Sequence, residues 1–138
     1  MSDIFVLDAC AMIALLREED GSDVVEDIFV KALEENVTIR MNKLNLLEVY
    51  YDTFRLYNKE TADELFENAT NLPIQIIPEI SDDVLKEAGR LKCTYRISLA
   101  DSVALAEASI SGGSLLTSDH HEFDIVEKSE KINIHWIR

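Results

Sequence analysis

Four acidic residues, Asp8, Glu48, Asp101 and Asp119, are spaced so that a single fold can bring their carboxylates together. Carboxylates gathered in one cleft repel one another and raise each other's pKa. A hard divalent cation relieves that repulsion, and an all-oxygen ligand set selects Mg²⁺ or Mn²⁺ over zinc. Such an ion polarises a phosphodiester, lowers the pKa of water and stabilises the leaving oxygen. Each carboxylate also has a local reading that needs no ion. Ser98-Leu-Ala-Asp101 is a capping-box pattern, Asn45-Leu-Leu-Glu48 allows the same role for Glu48, and Asp119 suits a polar turn. Asp8 is the hardest to assign to structure alone: it ends an apolar run, and unpaired burial of a carboxylate is costly.

Two other groups invite chemistry. The run Asp119-His-His-Glu-Phe-Asp124 contains adjacent histidines, His120 and His121. Adjacent histidines in a loop do not converge on one ion, and no Cys or His partner stands at a zinc-ligand spacing. The run therefore reads as a polar loop with Phe123 turned into the core. Cys10 lies close to Asp8, but nothing local serves as its base, so it reads as a small buried hydrophobe.

The elements that position these residues follow from the apolar periodicity. Ile4–Leu7 is wholly apolar, as a strand buried on both faces requires. A short helix over Ala9–Leu16 precedes a second with apolar residues from Val24 to Leu33, for which Ser22 is the expected cap. Val37–Met41 is a strand, Leu44–Tyr57 and Lys59–Asn71 are helices, and Ile74–Ile77 is a third strand between Pro73 and Pro78. Ser81 with Asp82 and Asp83 starts a helix running to about Cys93, because acids favour a helix N-terminus. A helix over Leu99–Ile110 stops at Gly112-Gly113, and strands follow at Ser114–Thr117 and Ile132–Ile137. Strands separated by helices predict a three-layer α/β/α sandwich on a mostly parallel five-stranded sheet. In such folds ligands collect at the carboxyl ends of the strands. Asp8 and Asp119 fall at that edge, and Glu48 and Asp101 stand early in helices that can point toward it.

Composition bounds the function. The chain of 138 residues, 47% hydrophobic and 29% charged, suits one domain over 1–138 and excludes wholesale disorder. Its formal net charge of −14 excludes binding of nucleic acid or anionic membrane by bulk attraction, so any phosphate chemistry must be brought by metal or a local basic rim. Two cysteines form no disulfide framework, and the apolar N-terminal stretch is too short and too interrupted for a membrane helix. A cytoplasmic location is expected. Five of the nine Phe and Tyr residues fall between Tyr50 and Phe66, which suits either helix–helix packing or a protein-binding groove.

Taken together, Val6-Leu-Asp-Ala-Cys-Ala-Met-Ile-Ala-Leu-Leu16, Asn45-Leu-Leu-Glu-Val49, Ile97-Ser-Leu-Ala-Asp-Ser-Val-Ala-Leu-Ala106 and Leu116-Thr-Ser-Asp-His-His-Glu-Phe-Asp124 resemble the PIN-domain ribonucleases, in particular the toxins of VapBC-type toxin–antitoxin pairs. The resemblance spans essentially the whole chain, to the closing Ile134-His-Trp-Ile-Arg138. It implies a PIN-like fold, a homodimer, an antitoxin partner and Mg²⁺- or Mn²⁺-dependent endoribonuclease activity, by in-line attack of water on an RNA phosphodiester. Position by position, Asp8, Glu48, Asp101 and Asp119 match the family's metal-binding carboxylates, and Thr117 matches a hydroxyl residue that positions water or substrate. Ala9-Cys10 departs from the Thr or Ser of many members. Lys43, Arg96 and Arg17 are the cations placed to guide an RNA backbone.

The same resemblance leaves open a PIN-like module that binds RNA, or acts as a scaffold, without cutting; loss of an acidic ligand would signal it, and none is lost. A haloacid-dehalogenase-like phosphatase would need a second Asp where Cys10 stands, and a receiver domain an Asp where Pro78 stands.

Overall fold

The computed structural model describes residues 3–138. Its strands are β1 (Asp3–Leu7), β2 (Val37–Asn42), β3 (Gln75–Ile77), β4 (Ser114–Thr117) and β5 (Asn133–Trp136). The helices are α1 (Ala9–Leu16), α2 (Ser22–Leu33), α3 (Lys43–Leu56), α4 (Lys59–Thr70), α5 (Asp82–Thr94), α6 (Leu99–Ser111) and α7 (His120–Ser129).

The strands form one sheet in the order β3-β2-β1-β4-β5, and every pairing is parallel. The expected architecture holds, with a sheet that is wholly rather than mostly parallel. The apolar run at the N-terminus takes the central place, where a strand is covered on both faces: Val6 and Leu7 are fully buried, and Ile4 and Phe5 half-buried. Val6 packs into a core with α5, α6 and α7, while Leu7 packs into the opposite core with α1, α2 and α3. These two cores make the three layers. Burial of each such side chain contributes about 1.5–3 kcal/mol.

Helix α6 is the most enclosed of the helices, since every residue from Asp101 to Ala108 is buried. Its alanines let neighbouring helices approach closely, so Asp101 rides on a rigid mount. The helix ends at Gly112, whose φ of 71° suits glycine at a left-handed C-terminal stop. The next residue, Gly113, allows β4 to start against β1, because a Cβ there would lie 2.6 Å from the Ile4 carbonyl oxygen.

Three local expectations need correction. The Asp119–Asp124 run is not a loop but the start of α7, with Phe123 fully buried as expected. Asn42, not Asn45, caps α3, and its side chain accepts from the Leu44 amide at 2.9 Å. Ser22 does not cap α2; Gly21 occupies that position at φ 92° without a side-chain bond. No helix among the described residues is long and apolar enough to cross a membrane.

Candidate active site

The sheet register gathers the site. Leu7 pairs with Leu116, so Asp8 leaves β1 beside Thr117 at the end of β4. The Asp8 amide donates to the Leu116 carbonyl at 3.4 Å, which carries the β1–β4 alignment one residue past the strand. Asp8 is fully buried and caps α1, its Oδ1 accepting from the Ala11 amide at 2.8 Å. Its other oxygen, Oδ2, is buried with no partner among the described residues. Burial drives the Asp8 carboxyl up to about 7, against the pull of the Thr117 hydroxyl and the Ala11 amide, and Asp119 and Glu48 add to the rise.

Asp101 stands in the first turn of α6, where its amide donates to the Ser98 hydroxyl at 3.1 Å. The capping pattern is therefore real, and the carboxylate above it is only 8% exposed. Burial and then the charge of Asp8 push Asp101 up to about 7, with Asp119 and Glu48 contributing and the Ser98 hydroxyl opposing. The cap uses the Asp101 amide and not its carboxylate, so capping is compatible with a ligand role for the side chain.

Glu48 lies in the second turn of α3, too far from Asn42 to belong to a capping box. Instead its Oε2 is buried without a partner, and its pKa is raised by burial first, then by Asp119, Asp52 and Glu122. Asn45, offered above as the cap, is buried and donates to the Ala100 carbonyl at 3.0 Å, tying α3 to α6. Asp119 caps α7 by accepting from the Glu122 amide at 3.2 Å, and its own amide donates to Thr117 Oγ1 at 3.1 Å. Thr117 is fully buried, and its hydroxyl accepts from the Asp119 amide and helps to lower the Asp8 carboxyl. Asp8, Asp101 and Asp119 each stand at the start of a helix, where the positive end of the helix dipole offsets part of their repulsion.

One member of the cluster escaped the sequence reading. Glu122 joins Asp101 and Asp119 with ligand atoms within 4.8 Å of one another, and its Oε2 is also buried without a partner. The signal that points to it is Asp119-His-His-Glu122, a capping spacing that puts both acids at one helix start. Of the four carboxylates expected from the sequence, Asp101 and Asp119 join Glu122 in this close all-oxygen group, which fits a hard divalent cation. Asp8 and Glu48 stand outside it as neighbours whose charges act on the same cluster and whose Oδ2 and Oε2 lack partners among the described residues.

The remaining candidates separate. Cys10 is half-buried among these acids, and burial followed by their charges pushes its thiol far up, so it is a neutral thiol and no nucleophile. Arg17 pairs with Asp52 at 3.1 Å and lies over the Tyr57 ring, which commits the charge offered above to RNA. Lys43 and Arg96 are exposed, and no carboxylate pairs with them among the described residues. The ring nitrogens of His120 contact Asp124 Oδ1 at 2.8 Å and the Arg138 carbonyl at 2.9 Å, which leaves neither for an ion. The aromatic segment forms a groove of about 350 Å³ lined by Lys43, Leu46, Leu47, Tyr50, Asp63 and Phe66. Beside it, Tyr51 and Phe54 are 53% and 45% exposed.

The sequence profile of the PIN domain family matches residues 5–129. No curated protein matches the chain in sequence. Among solved structures, the fold is similar to VapBC2 from Rickettsia felis bound to a DNA fragment from its promoter, at 18% identity and a TM-score of 0.75, covering 96% of this chain and 97% of that one. It is also similar to DNA-bound VapBC from Salmonella typhimurium, at 14% identity and a TM-score of 0.73 over 100% of both chains. A third similar structure is Mycobacterium tuberculosis VapC20, described as a sarcin-ricin loop cleaving toxin, at 13% identity and a TM-score of 0.69 over 92% and 95% of the two chains.

Proposed function

Since the chain belongs to the PIN-domain family, we propose that it is a Mg²⁺- or Mn²⁺-dependent endoribonuclease and the toxin of a toxin–antitoxin pair. The observation that carries this reading is the buried, unpartnered Oδ2 of Asp8, set among Glu48, Asp101, Asp119 and Glu122. A buried carboxylate oxygen without a partner is costly while charged, and a bound cation would offset that cost. Toxin–antitoxin complexes among the similar structures support the partner, and the description of VapC20 supports RNA as substrate. The same reading takes residues 1–138 as one PIN-like domain, working in the cytoplasm as a homodimer.

Asp8 and Asp101 are the principal ligands, and Glu48 completes the first site or orients a water beside it. Asp119 and Glu122 extend the cluster toward a second ion or an outer-shell water. When bound, the cation polarises the phosphodiester and lowers the pKa of the attacking water. Thr117 fixes the Asp119 backbone, so the carboxylate is held before substrate arrives. Lys43 and Arg96 are the exposed cations that can meet the RNA backbone, and the charge of −14 suits a toxin covered by a basic antitoxin segment. Incubating the purified chain with RNA and Mn²⁺ tests the proposal: cleavage that stops on adding EDTA supports it, and intact RNA at every metal concentration rejects it in favour of a non-catalytic RNA-binding or scaffold protein.

A further inference from the structure

The pair His120–Trp136 forms a locked aromatic platform at the same sheet edge as the acidic cluster. The two rings stack with centroids 3.7 Å apart and planes 10° from parallel. Trp136 pairs with Thr117 in the β4–β5 register, and His120 directly follows Asp119, so both rings are tied to residues of the site. The indole Nε1 donates to Glu127 at 2.9 Å, which fixes the lower ring. Both nitrogens of the imidazole are held by Asp124 and the Arg138 carbonyl, yet its side chain remains 49% exposed. With one face against Trp136 and both nitrogens engaged, that exposure belongs largely to the opposite face. A flat ring held rigid at two edges and open on one face costs no further rotamer entropy when something stacks on it.

We propose that His120, backed by Trp136, stacks on a base of the single-stranded RNA next to the cleaved phosphodiester; this rests on the endoribonuclease reading above. Single-stranded RNA is recognised chiefly by stacking of splayed bases on aromatic rings, histidine included. Stacking also suits this chain in particular. Its charge of −14 makes bulk attraction to phosphates weak, so base stacking would add affinity beyond what the local cations Lys43 and Arg96 supply.

Trp136 is the only tryptophan, so its emission reports the platform directly. With Mg²⁺ present, a 2′-O-methyl oligoribonucleotide that resists cleavage should change Trp136 emission in a saturable way. On a cleavable oligonucleotide, His120→Ala should raise KM about tenfold with kcat within about twofold, the size that base stacking normally contributes. His120→Phe, which keeps the ring and loses both edge bonds, should restore most of the KM. Wild-type KM in His120→Ala together with unchanged emission overturns the platform while leaving the nuclease reading intact. An emission change given by the antitoxin but not by the oligonucleotide overturns it too, in favour of a protein partner. Saturable emission change without any cleavage keeps the platform and rejects the nuclease.

Discussion

Asp8, at the carboxyl end of β1, is after burial itself the largest influence raising the Asp101 carboxyl in the first turn of α6 to about 7. Burial first, with the charge of Asp8 on Asp101 and the charges of Asp119 and Glu48 on both, keeps either acid from ionising easily without help. The stability of the metal-free protein must register that conflict. Asp101 titrates near 3.8 in the unfolded chain and at about 7 in the folded one, and Asp8 behaves the same way. Folding therefore takes up protons between those values. The associated stability is complete below about 4 and is lost as pH rises toward about 7. In EDTA, Asp101→Asn should match the parent near pH 4 and below, and exceed it at neutral pH by about 1–3 kcal/mol, roughly 3–10 °C in Tm. Thermal melting across pH checks this; a variant less stable than the parent at neutral pH would mean that Asp101 serves only as a helix cap.

Removing the orphaned Glu122 carboxylate should weaken Mn²⁺ binding and leave the fold intact, because the capping bond at α7 comes from Asp119 and not from Glu122. Calorimetric titration of Glu122→Gln should show affinity reduced about tenfold or the loss of one class of site. Binding identical to the parent would remove Glu122 from the ligand set.

Replacing His120 and His121 together with Gln should leave Mn²⁺ affinity nearly unchanged. The ring of His120 already spends both nitrogens on Asp124 and the Arg138 carbonyl. A large loss of affinity would place nitrogen in the coordination sphere.

Tyr51 and Phe54 are exposed on α3, the helix whose Leu46, Leu47 and Tyr50 line one side of the groove. Aromatic anchors at interfaces cost about 1–2 kcal/mol or more each when truncated. Tyr51→Ala with Phe54→Ala should therefore weaken the antitoxin complex at least tenfold, measured by titration of the co-purified partner. Unchanged affinity would turn the aromatic cluster into ordinary surface.

Much of this site was legible before any coordinates. The apolar run ending in Asp8 suited a strand covered on both faces, and Ser98 three residues before Asp101 marked a true helix start. Helix α7 was hidden because its first five residues are polar apart from Phe123, and the whole helix buries only Phe123 and Val126. With so few apolar positions its period could not compete with the look of a loop. Missing the helix meant missing Glu122, which reaches the cluster only because Asp119 starts the helical turn that carries it. Arg17 was misjudged for another reason: its partner Asp52 is thirty-five positions away, and no local pattern shows that pairing.

The central claim is that these carboxylates hold a cation that cuts RNA, and cleavage by Asp101→Asn tests it most directly. Asn keeps an oxygen at the helix start and loses the negative charge a hard cation requires. The account predicts that Asp101→Asn, folded and at least as thermostable as the parent, shows no Mn²⁺-dependent cleavage of an RNA the parent cuts. Cleavage by that variant at near the parent's rate would contradict it.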